Sequence, residues 1–513
     1  MMMNWSHGYN TSVGYTFGYY REMSPAWIDF ALRLQGYAAP TGKKRRYLEL
    51  GFGQGLNLIL LAVANPDIDF LGIDFNPEQV AHARKLAAGI KNVRFEEADF
   101  LNLAAHWPAD YGQFDYAALH GIYTWVSPEL RQAIVKCLHH AVAAGGVVYN
   151  SYNALPGWLA AFPLQHVMVR YQKTTGQPPL TAIDNSLKLM HRLREAGASL
   201  FTAQPTLANR IETAEKHDRA YLLHEYLHDG AWFPLWYSQA MNEMAQAQLV
   251  AAGTATLPEI FLPTLLPVPL RTVIEEVADP ILRQELIDTA INQSFRRDLY
   301  QRGHQRLWPL EGQRVWSAIS LISLTGMPED KQLKFATSFG QLNGDPDSYG
   351  AILTALTTGP KTVAQLAALP EWQGKSFGLL LHVLSLLLHG SYIGIQQENV
   401  DLRNVTRFNR TLARAVADGA NYSCVLAGQL GIGLAASTVD LMFLDVLAET
   451  PTARAETLAA GLLTRLTALG RQLLKDGTAV TDPDAARTQA LQLATLFTSK
   501  TLPEWKRLGV WTA

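Results

Sequence analysis

The most informative stretch of the sequence is Tyr47-Leu-Glu-Leu-Gly51-Phe-Gly53-Gln-Gly55-Leu-Asn-Leu-Ile-Leu-Leu-Ala62. A short, mainly apolar run is followed by glycine at every second position, and a longer, mainly apolar run comes next. This pattern predicts a strand, a tight turn and a helix. Glycine lets the turn approach a ligand without a side-chain clash, and the following helix presents free amide groups. A glycine triplet alone also fits a plain strand-to-helix connection, so its meaning depends on the residues around it.

An acid ends the next apolar run of the chain. Asp74 directly follows Phe70–Ile73 and lies 23 positions after Gly51. In nucleoside-binding sheets, a carboxylate at this position accepts hydrogen bonds from both ribose hydroxyls. Asp74 is also placed to cap the helix expected to begin near Pro77, and the two roles are compatible. The glycine turn and the acid together indicate a ligand that contains a nucleoside.

The glycine spacing and a second acid distinguish between two such ligands. Gly55 comes one position early for the G-x-G-x-x-G pattern of NAD sites. Glu49, two residues before Gly51, would place a negative charge next to a pyrophosphate. A carboxylate there suits a ligand that carries an ammonium group. The sequence therefore predicts an S-adenosylmethionine site rather than a dinucleotide site.

The first part of the chain alternates apolar runs with helical patterns, which is typical of parallel strands joined by crossover helices. The predicted strands are Tyr47–Leu50, Phe70–Ile73, Val93–Glu96, Phe114–Leu119 and Val147–Tyr149. The helices predicted between them include Pro77–Ala88 and Pro128–Ala143, each with proline at the first helical position. The expected fold class is α/β, with a doubly wound, Rossmann-like sheet of five strands.

Three domains are expected, because one hydrophobic core seldom organises a chain of 513 residues. Residues 1–160 form the α/β domain. Residues 161–310 are predicted to form a mostly helical domain for regulation or substrate recognition, with a helical segment at Asp279–Arg302. Residues 311–513 are predicted to form a C-terminal helical domain.

A segment of the third domain, near residues 349–398, has the element order of a winged helix. Its predicted helices are Tyr349–Thr357, Thr362–Ala368 and Ser376–Leu388, and a strand follows at Tyr392–Gln396. The third helix is rich in leucine and almost without lysine or arginine, whereas a DNA-recognition helix needs basic residues. We therefore expect this segment to pack against other helices.

The motif Glu49-Leu-Gly51-x-Gly53-x-Gly55, with Asp74 and Ala98-Asp99-Phe100, resembles the successive motifs of class I S-adenosylmethionine-dependent methyltransferases over residues 45–150. The resemblance implies that the glycines line the methionine portion of the cofactor and that Asp74 holds the ribose. It also implies that Asp99 and Phe100 meet the adenine, although Asp99 also fits a surface carboxylate in a turn. The expected cofactor-binding residues are Glu49, Gly51, Gly53, Gly55, Asp74, Phe75, Asp99, Phe100, Tyr15 and Tyr20.

Further segments are similar to bacterial methyltransferases that carry a methyltransferase regulatory domain. They are Tyr15–Pro25, Leu119–Val126, Tyr149–Trp158, His224-Glu225-Tyr226 and Asn292–Asp298. That group includes rickettsial lysine methyltransferases that modify outer-membrane proteins, so the resemblance implies a protein lysine as substrate. The tyrosine-rich Tyr15–Pro25 and the Leu119–Trp125 segment depart from those lysine enzymes and match an uncharacterised branch better.

Candidate acceptor-site residues follow the fourth and fifth predicted strands, because open α/β sheets bind ligands at the carboxyl ends of their strands. Methyl transfer to nitrogen mainly requires orientation, and aromatic walls help a lysine ammonium to lose its proton by desolvation. The candidates are His120, Tyr123, Trp125, Tyr152 and Asn153, with Trp158 beside them. Equally, the aromatic residues could seal the junction with the helical domain, and His120 could be structural.

A run of aromatic residues near the amino terminus offers a cover for the cofactor. Tyr15, Phe17, Tyr19 and Tyr20 precede the first helix and could fold over the bound ligand or pack in the core. No metal site is expected, since His224 and Glu225 are adjacent and adjacent helical residues diverge in direction.

Composition limits the remaining possibilities. The formal net charge of −2 provides no global field for nucleic acid, and the two cysteines provide no disulfide framework. With neither a secretion signal nor a membrane span in the pattern, the expected location is the cytoplasm. The favoured function is methylation of lysine in a protein or peptide. A small-molecule methyltransferase and a non-catalytic regulator that binds an adenosyl ligand are the alternatives, and the oligomeric state is open.

Overall fold

The computed structural model describes residues 17–228, 230–475 and 477–512. A central sheet of seven strands has the order β3-β2-β1-β4-β5-β7-β6, in which β7 runs antiparallel to both of its neighbours. Its strands are β1 Arg45–Leu50, β2 Ile68–Asp74, β3 Val93–Glu97, β4 Phe114–Leu119, β5 Val142–Asn153, β6 Leu249–Thr254 and β7 Phe295–Arg302. The helices of this part are α1 Pro25–Leu34, α2 Leu56–Ala64, α3 Pro77–Leu86, α4 Phe100–Ala105 and α5 Pro128–Ala141.

The sheet confirms the expected Rossmann-like α/β fold. Parallel strands buried on both faces read as continuous apolar runs, which is why the predicted strands are all found. Helix α2 buries every one of its residues, as its almost entirely apolar sequence predicts. Helices α3 and α5 begin with proline behind a side-chain cap, Asn76 in one and Ser127 in the other.

Two strands that complete the sheet were not predicted. Residues 295–302 were expected to be helical, but α14, Pro280–Ile291, ends at Asn292, whose φ is +50°, and β7 follows. The buried face of β7 carries Arg296 and Asp298. Because polar residues occupy these buried positions, the sequence lacks the alternation of apolar and polar residues by which a strand is recognised. The sheet therefore extends beyond residues 1–160, and the division of the remaining chain at 310 stays a prediction.

A helical region lies between β5 and β7 in the sequence. Besides α14, its helices are α6 Phe162–Thr175, α7 Pro179–Glu195, α8 Ser199–Ala203, α9 Pro205–Lys216, α10 Arg219–Tyr226, α11 Tyr237–Ala245, α12 Leu262–Leu265 and α13 Val268–Glu275. Helices α6, α7, α9 and α10 share a hydrophobic cluster that also contains Trp125 and Trp158. This shared cluster fixes the helices to the loops that follow β4 and β5.

The C-terminal region is mainly helical, with short strands. Its helices are α15 Pro309–Ala318, α16 Pro346–Thr357, α17 Val363–Ala367, α18 Phe377–His389, α19 Leu402–Ala417, α20 Thr438–Glu449, α21 Ala455–Ala468, α22 Pro483–Leu496 and α23 Leu502–Arg507. Its strands are β8 Ser320–Ser323, β9 Leu333–Thr337, β10 Gly340–Gly344, β11 Lys361–Thr362, β12 Ile393–Ile395, β13 Cys424–Ala427, β14 Ile432–Ala435, β15 Leu474–Lys475 and β16 Thr478–Ala479.

Helices α16, α17 and α18 and strand β12 lie close to their predicted positions. Strand β12 pairs with β8, which precedes the three helices, rather than with a strand that follows them. The winged-helix prediction therefore stays a prediction. Helix α18 buries most of its leucines, and His382 stacks on Phe261 with the ring centroids 4.3 Å apart, so this helix packs within the chain.

The C-terminal region also touches the glycine turn of the α/β domain. The Tyr422 hydroxyl lies 2.8 Å from Nε2 of His82, and Nδ1 of the same ring lies 2.9 Å from the carbonyl oxygen of Gln54.

Among the described residues, no single helix combines the length and apolar character needed to cross a bilayer. A pair of segments, 257–265 and 268–275, meets both measures only when taken together and is bent by 92°.

Candidate active site

A cavity opens at the carboxyl ends of β1, β2 and β4 and offers about 1100 Å³ of space, part of which is open to solvent. It brings together most of the residues that the sequence motifs single out. The lining residues are Gly18, Tyr20, Glu49, Gly51, Phe52, Gly53, Gln54, Gly55, Leu56, Asn57, Asp74, Phe75, Gln79, Asp99, Phe100, His120, Gly121, Ile122, Trp125, Val126 and Leu130. This is the edge of the sheet at which α/β proteins of this kind bind ligands.

The glycine turn requires glycine at each of its three positions. Gly51, Gly53 and Gly55 have φ of +70°, +58° and +76°, which other residues rarely adopt. A Cβ on Gly51 would lie 2.1 Å from Cδ1 of Ile122, and a Cβ on Gly55 would lie 2.6 Å from that of Ala83. A Cβ on Gly53 would meet no protein atom within 4 Å. The backbone at Gly53 therefore faces open space on the cavity wall.

Backbone amides hold the Asp74 carboxylate in the cavity wall. The amide of Gly53 donates to one oxygen at 3.0 Å, and the amide of Asn76 donates to the other at 2.9 Å. The Gln79 amide nitrogen, oriented to donate, lies 3.1 Å and 3.2 Å from the two oxygens. Burial raises the pKa of Asp74 to about 6, although hydrogen bonds from backbone amides favour the ionised carboxylate and limit the rise. Asn76 caps helix α3, so Asp74 is not needed as the cap.

Glu49 is buried in the cavity wall, and its Oε2 has no hydrogen-bond partner among the described residues. Burial, and then the charge of Asp74, raise the pKa of Glu49 to about 8. An unpaired buried carboxylate is costly, and an ammonium group placed beside it would relieve that cost. This orphaned oxygen fits the ammonium group of S-adenosylmethionine.

Asp99 and Phe100 lie on the cavity wall, as does Phe75. Asp99 Oδ1 accepts hydrogen bonds from the amides of Leu101 at 2.7 Å and Asn102 at 3.3 Å, so this carboxylate caps helix α4. Capping fixes the carboxylate at the rim of the cavity. Its role toward adenine stays a prediction.

Tyr20 and His120 stack on one another in the cavity, with ring centroids 3.7 Å apart. His120 Nδ1 lies 3.1 Å from the Tyr149 hydroxyl and 3.0 Å from Oγ of Ser151. Burial, and then the charge of Arg297, lower the pKa of His120 to about 3. The imidazole is therefore neutral near pH 7, and it is a weak base. Tyr15, the other predicted cover residue, lies outside the described residues.

Of the aromatic residues predicted for the acceptor site, Trp125 reaches the cavity, and Tyr123 and Tyr152 do not. The Tyr123 hydroxyl donates to Oε2 of Glu243 at 2.5 Å, and the Tyr152 hydroxyl donates to Oδ2 of Asp298 at 2.6 Å. Both rings are fully buried, so we withdraw them from the acceptor site.

The two other candidates behind β5 also lie outside the cavity. Asn153 is buried, and its backbone amide donates a hydrogen bond to Oγ1 of Thr124 at 2.9 Å. Trp158 lines a different cavity in the helical region. The acids that accept hydrogen bonds from the Tyr123 and Tyr152 hydroxyls lie more than 100 positions further along the chain than these tyrosines. Sequence proximity to a strand end therefore could not reveal that both rings face away.

Several wall residues carry no sequence signal for the site. Gln79 is recognisable only once α3 is placed against Asp74, and Asn57 accepts a hydrogen bond from the Tyr20 amide at 2.9 Å. Ile122, Val126 and Leu130 supply apolar surface. In the part of the chain that the structure describes, no group of three or more histidine, cysteine or acidic residues is arranged to hold a metal ion.

Family models match two parts of the chain. Residues 48–146 match a methyltransferase domain, and residues 218–302 match a domain described as a predicted methyltransferase regulatory domain. The first range contains the glycine turn and most of the wall of the cavity, and the second runs from α10 to the end of β7.

Similar proteins occur in bacteria. The uncharacterized protein sll1526 of Synechocystis is 34% identical over 388 residues, which cover 75% of this chain and 76% of that protein. The uncharacterized protein RP028 of Rickettsia prowazekii is 28% identical over 228 residues, covering 43% of this chain and 88% of the relative. The structure of PKMT2 from Rickettsia typhi in complex with AdoHcy superposes with a TM-score of 0.69 at 19% identity, covering 96% of this chain and 99% of PKMT2. That likeness extends the shared fold over nearly the whole chain.

Proposed function

Because this chain belongs to the S-adenosylmethionine-dependent methyltransferases that carry a predicted methyltransferase regulatory domain, we propose that it methylates lysine side chains of a protein. The observation that carries the proposal is the cavity in which the glycine turn, Asp74 and the unpaired Glu49 meet. Roughly 350 residues lie beyond the predicted α/β domain, more than a small-substrate pocket usually needs, and additional domains suit a macromolecular substrate.

The cofactor is S-adenosylmethionine, and the wall of the cavity assigns a partner to each of its polar parts. We propose that Glu49 binds the ammonium group, that the backbone of the glycine turn holds the methionine portion and that Asp74 binds the ribose hydroxyls. We assign Asp99 and Phe100, which line the same cavity, to the adenine. Each assignment uses a group that already lies on the wall of one cavity.

The bound cofactor supplies an activated methyl group, and the protein orients the acceptor and excludes water. A lysine ammonium, with a pKa of about 10.4 in water, must first lose a proton. Apolar and aromatic surroundings favour that loss by desolvating the charge. Trp125, Tyr20 and the neutral His120 provide such surroundings. Positioning of this kind supplies much of the acceleration in methyl transfer.

Calorimetry with S-adenosylhomocysteine and NAD tests the cofactor assignment. We expect S-adenosylhomocysteine to bind and NAD not to bind, because Glu49 favours an ammonium group and opposes a pyrophosphate. Tight NAD binding without a response to S-adenosylhomocysteine would contradict the assignment.

Incubation of the enzyme with tritiated S-adenosylmethionine and a bacterial lysate tests the acceptor. Label in protein lysine supports the proposal, and label confined to small molecules would refute it.

The affinity for S-adenosylhomocysteine should depend on pH through Glu49. In the free protein this carboxyl has a pKa of about 8 and Asp74 has one of about 6, so Glu49 is mostly protonated between these values. An ammonium ligand needs the ionised carboxylate, so affinity should rise with pH by up to about tenfold per unit over this range. Above it, the rise should stop because Glu49 is already ionised in the free protein.

Calorimetric titrations at several pH values measure this dependence. Glu49→Gln removes the titrating carboxyl and keeps the side chain's size, so its affinity should be lower and nearly independent of pH over the same range. A flat profile for the wild type, or an unchanged slope in Glu49→Gln, would exclude Glu49 as the ammonium partner.

A further inference from the structure

A second cavity lies in the helical region and has no role in the functions assigned so far. It opens between residues 157–160 and helices α9 and α10, and it offers about 920 Å³ of space, part of which is open to solvent. Its wall includes Trp158, Arg210, Tyr221, Glu225 and Tyr226. Charged and aromatic side chains thus meet in a space large enough for an extended side chain and part of a backbone.

Arg210 is held in place by the aromatic wall. Its guanidinium lies 4.4 Å from the ring centroid of Trp158, and it donates hydrogen bonds to the Tyr226 hydroxyl at 3.1 Å and to the carbonyl oxygen of Gly157 at 3.4 Å. Its positive charge also acts on Glu225 and favours the ionised carboxylate. The positive charge of Arg210 therefore stabilises a negative charge in this cavity.

Glu225 is partly buried, and an interaction with the Tyr221 hydroxyl favours its ionised carboxylate. Burial raises the pKa of Glu225 to about 7, against the opposing effects of Arg210 and Tyr221. A carboxylate has about four acceptor positions, so the interaction with Tyr221 leaves capacity for a donor from a ligand. A cationic amine provides both a donor and a compensating charge.

The second cavity adjoins the cofactor cavity. Trp158, on the wall of the second cavity, meets Trp125 edge-on with ring centroids 6.3 Å apart, and Trp125 lines the cofactor cavity. The negative charge of Glu225 also helps to raise the pKa of Tyr20, which lines the cofactor cavity. Glu225 is therefore close to the place where Tyr20 and His120 stack.

We propose that the second cavity receives the acceptor side chain and that Glu225 binds its ammonium group before methyl transfer. The inference rests on the proposed function, since it takes the acceptor to be lysine. Trp158 and Tyr226 offer aromatic faces to the cation and to its aliphatic stem. The helical region thus supplies substrate-binding residues.

Fluorescence anisotropy tests this binding without any methyl transfer. The probe is a fluorescein-labelled peptide with one central lysine, added to the full chain saturated with S-adenosylhomocysteine. The same peptide with norleucine in place of lysine differs only in the amine. We expect the wild type to prefer the lysine peptide by at least about tenfold, the order expected for a charged hydrogen bond.

Three variants assign that preference to the carboxylate. Glu225→Gln should lose most of the preference, and Glu225→Asp, which keeps the charge, should retain a large part of it. Glu212→Gln, which changes an exposed acid on α9, is the matched control and should retain all of it. Thermal melting verifies that each variant is folded. Equal binding of the two peptides to the wild type, or an undiminished preference in folded Glu225→Gln, would overturn the proposal.

The outcomes also separate this inference from the proposed function. Lysine-dependent binding that requires Glu225, without tritium in any protein, would contradict lysine methylation and leave the binding site standing. Tritium in protein lysine, together with peptide binding that ignores Glu225, would support the proposed function and refute the inference.

Discussion

Replacement of Asp74 by alanine is expected to weaken S-adenosylhomocysteine binding by about 1.5–3 kcal/mol, the order expected when hydrogen bonds to a charged group are lost. That corresponds to an affinity roughly 10- to 150-fold lower. The Asp74 carboxylate lies on the cavity wall and is fixed by the amides of Gly53 and Asn76. It is therefore oriented before a ligand arrives, and little ordering cost offsets its bonds to the ribose. Isothermal titration calorimetry measures the change.

A matched control lies on the same strand. Asp69 is an exposed acid of β2, so Asp69→Ala removes a carboxylate of the same kind without touching the cavity. Its affinity should equal that of the wild type. Asp74→Asn keeps the size of the side chain and should fall between the wild type and alanine. Unchanged affinity in folded Asp74→Ala would remove this residue from the site.

The parts predicted well from the sequence are those encoded locally. A run buried on both faces, a turn that needs positive φ at Gly51, Gly53 and Gly55, and a helix buried throughout leave their pattern in consecutive residues. The acid at the end of β2 lies a set number of sequence positions after that turn. Local sequence therefore predicted the cofactor cavity, although the roles of its individual residues stay predictions.

The missed parts depend on contacts between distant residues. Strand β7 buries Arg296, which is paired with Asp288 at 2.6 Å and Asp298 at 2.8 Å, so its charged sequence does not indicate a buried strand. Tyr152 donates to the same network and does not line the cofactor cavity. A single sequence provides no means of pairing these charges, because paired burial is a property of the folded chain.

Trp125→Ala is expected to reduce methyl transfer by an order of magnitude or more while S-adenosylhomocysteine affinity stays within a few-fold of wild type. A misplacement of about 1 Å at the reacting atoms can cost about a hundredfold in rate. Trp125 lies on the wall of the cofactor cavity and meets Trp158 of the second cavity. Its removal should loosen the acceptor, whereas Glu49, Asp74 and the glycine turn, to which we assign the polar groups of the cofactor, are unchanged. Parallel measurements of turnover and S-adenosylhomocysteine affinity test the separation.

Tyr123→Phe is the matched control for this experiment. Tyr123 is two positions from Trp125, but its hydroxyl donates to Glu243 in the core, away from the cavity. Loss of that bond should lower the free energy of unfolding by about 1–3 kcal/mol and leave turnover unchanged. If Trp125→Ala weakens cofactor binding as severely as Asp74→Ala, Trp125 belongs to the adenosyl site. If Tyr123→Phe impairs turnover in a stably folded protein, the hydroxyl acts on the acceptor, and the assignment drawn from the structure is wrong.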